Sequence, residues 1–571
     1  MSHEAFLRTI IAQPDDDLPR LVYADWLDEN DDPARAEFIR IQCELAQLPD
    51  DDAERRPMLE DREHELLSEH EPAWLGSELI GLQEWEFQRG FLHSITAGLD
   101  DLMSWPDAFH ELTTVRDYSP TERLSLTFLD EFQEYVEQPE AHDLATPLLS
   151  RLEALNLSQM NHIPRRIAQH FPKSVFTSLN KLDLSNNRGL QHYSASLKYW
   201  VFIPNLQSLS IGGFDTRRLQ TAYEPLQLGL LFTHCQIKSL AVHNCSLSTK
   251  SLCSLLDADF ATHLKSLDVS ANPIESDIWT AFQHANHQMR LERIDISGIG
   301  FSASSLHALL ANKRLGELTE LEINRFDLSQ MHAEVLGESR YWAQAKEFRA
   351  YASSLQDESL ELLGQTTGSR QLKLLDLAEN YLHIDGVSHL CDAPWSRSLN
   401  WLSLSGNYLD DDAVNLFADS GHFPKLRTLH LAHPKRLEGH HEYVITGNGV
   451  AALANAGHLA NLRVLTLNGA MIGRDGVDAA LHSPHWKLSG LGIAGCELTV
   501  TTVNLMARSP RLARLTWLDL SMNRFLVGDS LLPLAESPYL SRLCELDIRG
   551  CGASDRVRQI LRERLGPRLS D

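Results

Sequence analysis

Apolar residues recur along this chain in one phrase, L-x-x-L-x-L. Leu152-x-x-Leu155-x-Leu157 and Leu179-x-x-Leu182-x-Leu184 carry it in full. With Ile or Val substituting, it begins again at Leu206, Ile237, Leu264, Leu291, Leu318, Ala345, Leu372, Leu399, Leu426, Leu462, Leu488, Leu515 and Leu543. The spacings are 27, 27 and 31 residues, then 27 seven times, then 36, 26, 27 and 28. A nearly fixed period of this size marks a repeat array. The weakest copy begins at Ala345, where Phe348 and Ala350 fill the other apolar slots. The L-x-L core alternates with period two and predicts a short strand. The second half of each repeat predicts a helix, as over 411–419, 449–456 and 475–481. One repeat cannot bury its leucines alone, but stacked neighbours can.

Ahead of the array the pattern changes to helical spacing. Phe6, Leu7 and Ile10 form one set, Leu18, Leu21, Val22 and Trp26 a second, and Phe38, Ile39, Ile41 and Leu45 a third. Pro19 and Pro33 suit first-turn positions. Asp15, Asp16 and Asp17 are expected to cap the second helix. A fourth, highly charged helix is expected from about residue 54 to 69. Residues 86–97 (EFQRGFLHSITA) read as a lead-in strand, 123–128 (RLSLTF) as an early irregular strand, and 554–565 as a basic closing helix.

These phrases resemble the leucine-rich repeat family, in its longer-period, ribonuclease-inhibitor-like subclass. The words Arg20–Leu21–Val22–Tyr23–Ala24–Asp25–Trp26–Leu27–Asp28–Glu29 and Ala36–Glu37–Phe38–Ile39–Arg40 resemble the bacterial repeat-companion domain, a short module found ahead of repeat arrays. The resemblance implies an α/β leucine-rich repeat solenoid: a horseshoe with a parallel concave sheet, convex helices and a small N-terminal α-helical domain. It divides the chain into a helical companion domain (1–75), an N-terminal cap with irregular first repeats (76–150), the array (151–553) and a C-terminal cap helix (554–571). It also implies that the ninth position of each phrase bonds backbone groups where the strand turns away. That ladder comprises Asn187, Cys245, Asn272, Asn380, Asn407, Cys496, Asn523 and Cys551.

Composition narrows the function. The 571 residues hold 51 Lys+Arg against 78 Asp+Glu, a net charge of −27. Residues 1–75 alone carry 21 acidic and 7 basic side chains, a shift that marks a domain boundary. The charge argues against nucleic acid and anionic membrane as partners. No apolar run approaches the ~18 residues of a membrane span. The start of the chain lacks the basic end and small-residue cleavage site of a signal peptide. Eight scattered cysteines with no C-x-x-C fit a reducing, cytoplasmic compartment.

No phosphate-loop, nucleophile-elbow or dinucleotide motif is present. No catalytic residue, cofactor or metal is therefore expected. The densest histidine group is His430, His433, His440 and His441, in the 36-residue repeat. Adjacent histidines do not give metal-ligand spacing on a helix, and a solvated or polar contact loop is the expected role. His64-Glu65 and His70-Glu71 also lack that spacing.

The default site is the concave face, built from the third, fifth and seventh positions of each phrase. Seven of the fifteen fifth positions are acidic and one is basic. The family's consensus phrase accounts for the Asp residues. The departures stand out: a mixed-charge centre of Arg293, Glu320, Glu322, Asn324, Arg325, Glu347, Arg349 and Tyr351, then Trp401, His430 and Trp517. Exposed tryptophans are enriched at interface hot spots. Fifteen strands at ~4.8 Å give an arc of about 67 Å, and a ~15 Å strip along it offers on the order of 1,000 Å². That suits a protein better than a metabolite. The sequence therefore predicts a monomeric, non-catalytic scaffold binding a protein partner, with regulation of an enzyme such as a nuclease or GTPase as the alternative.

Overall fold

Each leucine phrase folds as one strand of a parallel sheet. The computed structural model describes residues 3–13, 16–49, 55–75, 82–98, 123–127, 150, 152–159, 168, 172–187, 199–200, 203, 205–213, 236–245, 247–274, 288–366, 368, 370–432, 443–540, 543, 545–565 and 569–571. The chain forms two compact units, Met1–Pro273 with His284–Leu291, and Ile274–Gln283 with Glu292–Asp571.

The first unit opens with helices α1 (His3–Ala12), α2 (Leu18–Glu29), α3 (Pro33–Gln47) and α4 (Arg55–Leu75). Proline stands in the first turn of α2 and α3, where its missing N–H costs nothing. Helix α3 is central and buries two faces. Ala36, Ile39 and Cys43 meet Phe6, Ile10, Tyr23 and Leu27, while Phe38, Ile41 and Leu45 meet Leu66. Arg35 is enclosed between these layers, 4.7 Å from the Trp74 ring and 5.6 Å from Phe38. Burial pulls its pKa down to about 10, which leaves it a cation held by ring faces.

Two expectations for this unit need correction. Asp17 occupies the N-cap of α2 but makes no capping bond, because its backbone is already helical (φ −77°, ψ −22°). Its carboxylate instead accepts from Gln47 Nε2 at 2.9 Å, and Asp16 Oδ1 takes the Leu18 N–H at 2.9 Å. Asp15 lies outside the described residues. The lead-in segment is not one strand but an antiparallel hairpin, β1 (Leu82–Gln88) and β2 (Phe91–Gly98). Arg89 and Gly90 turn it, both left-handed (φ 52° and 85°).

From β2 a parallel ladder runs through β3 (Arg123–Thr127), β4 (Ala154–Asn156), β5 (Lys181–Asp183), β6 (Ser208–Ser210), β7 (Ser239–Ala241) and β8 (Ser266–Asp268).

In the second unit, strands β9 (Arg293–Asp295), β10 (Glu320–Glu322), β11 (Glu347–Arg349), β12 (Leu374–Asp376), β13 (Trp401–Ser403), β14 (Thr428–His430), β15 (Val464–Thr466), β16 (Gly490–Gly492) and β17 (Trp517–Asp519) pair in parallel, third position to third and fifth to fifth. A short two-stranded sheet pairs β18 (Val527–Gly528) with β20 (Gly552–Ala553). β19 (Glu545–Asp547) and β21 (Leu569–Ser570) extend the main sheet. Each strand thus spans the third to fifth positions, one residue earlier than the L-x-L core. The fourth-position side chain, leucine except at Ile294 and Phe348, points inward and is buried in every described copy. Helices pack behind, among them Asp411–Asp419, Gly447–Asn455 and Gly473–His482, and Asp555–Leu565 follows the last repeat. The chain is a leucine-rich repeat solenoid of α/β class with a small helical region at its start.

The ninth position holds the turns together. Asn380 Oδ1 accepts from the Ser353 and Leu355 N–H groups (2.9 and 3.0 Å), and its Nδ2 donates to the Ala350 and Leu377 carbonyls (2.8 and 2.9 Å). Asn272 does the same between neighbouring turns. Asn187, Asn407 and Asn523 donate to two carbonyls each in the same way. The cysteines make a weaker version. Cys245, Cys496 and Cys551 each donate Sγ–H to a carbonyl of the preceding repeat, at 3.4, 3.1 and 3.2 Å. Burial pushes the Cys496 thiol up to about 12, so it stays protonated. Ser353 fills the slot in the weakest copy and donates to the Ile323 carbonyl at 2.9 Å.

The preceding, eighth position is left-handed. Gly213, Gly298, Gly406 and Gly469 take it freely, but Ala271 (φ 53°) and Ala352 (φ 51°) do so with a Cβ. That conformation costs a non-glycine residue about 1–2 kcal/mol, while glycine loses about 0.5–1 kcal/mol more chain entropy on folding. Ala271→Gly is thus expected to stabilise the first unit by about 0.5–1 kcal/mol. An urea midpoint at or below wild type would contradict this.

Candidate functional site

Because successive strands pair without slippage, the third and fifth positions of the second unit form two straight columns. The first runs Arg293, Glu320, Glu347, Leu374, Trp401, and the second Asp295, Glu322, Arg349, Asp376, Ser403. Opposite charges meet at Arg293–Glu320, Glu322–Arg349 and Arg349–Asp376, while Glu320 stands beside Glu347 and Asp295 beside Glu322. Glu322 is buried, and its Oε1 is shared by Arg293 Nη2 and by Arg349 Nη1 at 3.2 Å. Arg349 Nη1 also meets Glu347 Oε2 at 2.8 Å, and Arg293 Nη1 lies 3.9 Å from Glu320 Oε2. The five charges form one interlocked network. Burial and the neighbouring Glu347 raise the Glu320 pKa against the pull of Arg293 and Arg349. Burial also raises that of Asp376, which accepts from the Ala378 N–H at 3.0 Å.

The acidic fifth-position column has a local purpose. Asp183, Asp268, Asp295, Asp519 and Asp547 each turn Oδ1 onto the N–H two residues on, at 2.8–2.9 Å. This side-chain turn satisfies a backbone donor where the strand ends. Where the fifth position is Glu322, Arg349, His430 or Gly492, that N–H finds the seventh-position side chain of the preceding repeat. Asn324 N–H donates to Ser297 Oγ (2.9 Å), Tyr351 N–H to Asn324 Oδ1 (2.8 Å), Ala432 N–H to Ser405 Oγ (3.0 Å) and Ala494 N–H to Asn468 Oδ1 (2.9 Å). Asn324 is thus a structural link. Ser297, Ser405 and Asn468, which the sequence reading passed over, do the same work.

The remaining expected residues fall into two groups. Arg325 is exposed and left-handed (φ 54°), and Tyr351 beside it is half-buried. Trp401 lies against His430, ring centroids 5.0 Å apart, and His430 Nδ1 reaches Thr466 Oγ1 at 2.7 Å. Burial lowers the His430 pKa, so the ring is neutral near pH 7. Trp517 does not project freely. A Cβ added to Gly490 would stand 3.1 Å from its Cε3, and one added to Gly492 would stand 2.9 Å from its Cη2. Its six-membered ring therefore lies along the Gly490–Gly492 backbone. Eight strand spacings of ~4.8 Å separate Arg293 from Trp517, about 38 Å, so these residues do not form one pocket.

Away from the strands, Tyr381, His383, Tyr408 and Tyr443 form an aromatic cluster, with His383 stacked on Tyr408 at 4.9 Å. His383 also faces Asp357 at 3.3 Å. Aromatic tenth positions in two successive phrases, Tyr381 and Tyr408, were its signal. His433, His440 and His441 lie outside the described residues. Among the described residues no group of three or more His, Cys, Asp or Glu is placed to hold a metal ion. No described helix is long and apolar enough to cross a membrane.

No protein-family model matches the chain, and no curated protein matches it. Solved structures do. A chain of the yeast Rad7–Elc1 complex aligns with a TM-score of 0.39 at 18% identity, over 80% of this chain and 93% of that one. An internalin (inlF) from Listeria monocytogenes aligns at 0.34 and 16%, over 72% and 94%. A chain of the TLR13–ssRNA13 complex aligns at 0.31 and 15%, over 76% and 61%.

Proposed function

We propose that the chain is a non-catalytic scaffold that recognises a partner protein through the strand-lined face of its repeats, the concave side of such arrays. The observation that carries this is the single register of β9 to β17. It lays the third, fifth and seventh positions out as an open strip about 38 Å long and, at ~3.3 Å per residue, about 13 Å wide. Side chains on it are held in place by one another, so little entropy is lost when a partner covers them. An open strip of that size suits a macromolecule better than an enclosed metabolite.

In this reading residues 1–75 are a repeat-companion domain and 76–150 the cap. Residues 151–553 form a ribonuclease-inhibitor-like array, closed by the helix from 554. The protein acts as a cytoplasmic, bacterial monomer, with no nucleic acid, membrane, cofactor or metal involved. Regulation of an enzyme is the second reading. It is favoured by the carboxylates of Glu320 and Glu347, which remain partly exposed on the face and would meet a basic enzyme surface.

Affinity capture from lysate tests the proposal, with wild type beside a Trp401→Ala/Arg349→Ala/Tyr351→Ala variant, each eluted by a salt gradient. Proteins held by wild type and lost by the folded variant are the expected result. Identical retention would remove the face from consideration and turn attention to residues 1–75.

A further inference from the structure

Charged residues make up 23% of this chain, yet among the described residues none stands at the third, fifth or seventh positions in the middle of the second unit's face. Between Trp401 and Trp517 the third and fifth positions are Thr428, His430, Val464, Thr466, Gly490 and Gly492. The seventh positions alongside, Ser405, Ala432, Asn468 and Ala494, are uncharged as well. On one side, β9 to β12 carry five carboxylates against two guanidinium groups. On the other, Asp519, Glu545 and Asp547 stand against Arg549 alone.

The side chains of this floor are held by one another. His430 is fixed between the Trp401 ring and the Thr466 hydroxyl. Trp517 rests on the glycine strand β16 and stays half-exposed. An uncharged, aromatic centre with a charged rim is the anatomy of a protein interface, because neutral groups cost least to desolvate. Buried tryptophans at such a centre carry a disproportionate share of binding energy. From β13 to β17 is four spacings, about 19 Å, the reach of an extended segment of roughly six residues.

We propose that β13 to β17 form the energetic centre of the partner interface, and that the occupant is an extended peptide segment with aromatic or aliphatic side chains in its middle and lysines or arginines at both ends. This rests on the reading of the strand face as the binding surface. The acidic flanks favour a peptide over a neutral oligosaccharide, which would also stack on indoles but would gain nothing from carboxylates on either side.

The probes are labelled synthetic peptides of about twelve residues, read by fluorescence polarisation on the full chain. One has a Phe/Leu/Tyr centre and two lysines at each end. A second has the same centre with glutamate ends, and a third has lysine ends with a serine centre. Cellohexaose is added as competitor. The first peptide is expected to bind and the other two to bind at least tenfold more weakly. Raising salt from about 0.05 to 0.5 M should weaken binding severalfold. Trp401→Ala and Thr428→Glu should each weaken it about tenfold or more. Thr428→Glu keeps the fold testable, because glutamate already occupies the same register position at Glu320 and Glu347.

Absence of binding by the first peptide overturns the proposal, as does equal binding of the serine-centred or glutamate-ended one, or displacement by cellohexaose. If binding survives Trp401→Ala and Thr428→Glu but is lost with Glu347→Ala/Arg349→Ala, the face remains the site and its centre is misplaced. If none of these variants changes binding, both readings fall.

Discussion

Gly90→Ala is expected to destabilise the first unit by about 1.5–5 kcal/mol, from left-handed strain and overpacking at about 1–3 kcal/mol each, less about 0.5–1 kcal/mol of chain entropy. Gly90 sits at φ +85°, and a Cβ there would stand 2.3 Å from Ile39 Cγ1 and 2.7 Å from Ile39 Cα. The second contact is backbone in the middle of α3, which cannot move without dragging the two cores it separates. The same glycine donates its N–H to Gln42 Oε1, and Gln42 Nε2 in turn donates to the Phe87 carbonyl at 3.1 Å and to Glu63 Oε1 at 2.7 Å. One buried amide therefore joins α3, α4 and the hairpin, and its two bonds to the hairpin depend on that close approach. Gly421→Ala is the control. Gly421 is also left-handed (φ +67°), but nothing lies within 4 Å of its added Cβ. It should lose only the strain, about 1–2 kcal/mol, less the about 0.5–1 kcal/mol of chain entropy that alanine saves, a net cost of about 0.5–1 kcal/mol. Equal losses in urea unfolding of the two variants would show that the contact with Ile39 carries no weight.

Asn380→Leu should cost the second unit about 3–5 kcal/mol, at about 1–3 kcal/mol for each buried backbone group left unpaired, less what relaxation recovers. Leucine has asparagine's branched skeleton and is the larger of the two, so the loss reports missing hydrogen bonds and some crowding rather than a cavity. The Ser353 and Leu355 N–H groups and the Ala350 C=O lose their partner at once, in a place where Asn380 is 3% exposed, while the Leu377 C=O keeps its bond from Asn407. Because each repeat is stabilised by its neighbours, the damage reaches two interfaces. Asn380→Ser should cost roughly half as much, since Ser353 already fills the equivalent slot one repeat earlier with a donor bond to Ile323. A leucine variant that loses under about 1 kcal/mol in urea would show that the ladder is dispensable.

The array was legible because two independent periods, two and 27, agree at most copies, and only four of the fourteen spacings depart from 27. The Asn and Cys members of the ladder were legible from their offset. Ser353 was not, because it shares with them a donor but not a residue type. The hairpin was misread because an alternating pattern continues straight through Gln88-Arg89-Gly90-Phe91, and only the Arg-Gly pair marks the turn. The left-handed eighth position was visible in principle as a column of glycine and asparagine. Alanine, arginine and glutamate at Ala271, Arg325 and Glu379 obscured it. On the face, adjacency followed from register alone, so Arg293, Glu322 and Arg349 were expected together. That Glu322 is buried between them was beyond reach, since it depends on how long side chains fold over a sheet. Trp517 looked like a projecting ring, and the signal that it lies down was in the neighbouring strand, where Gly490 and Gly492 make room for it.

The hand-over of one backbone donor from repeat to repeat limits how this array can be rearranged. Aspartate at the fifth position makes a repeat self-sufficient. Glu322, Arg349, His430 and Gly492 are permitted because Ser297, Asn324, Ser405 and Asn468 stand one repeat upstream. Excising residues 318–344 would present Ser297 to Tyr351 in place of Asn324, and the join would hold. Excising 399–425 would present Ala378 to Ala432, and the donor beneath His430 would be stranded. The freedom to vary the face is therefore inherited from the preceding unit, and the repeats have an order of their own, as words do in a sentence.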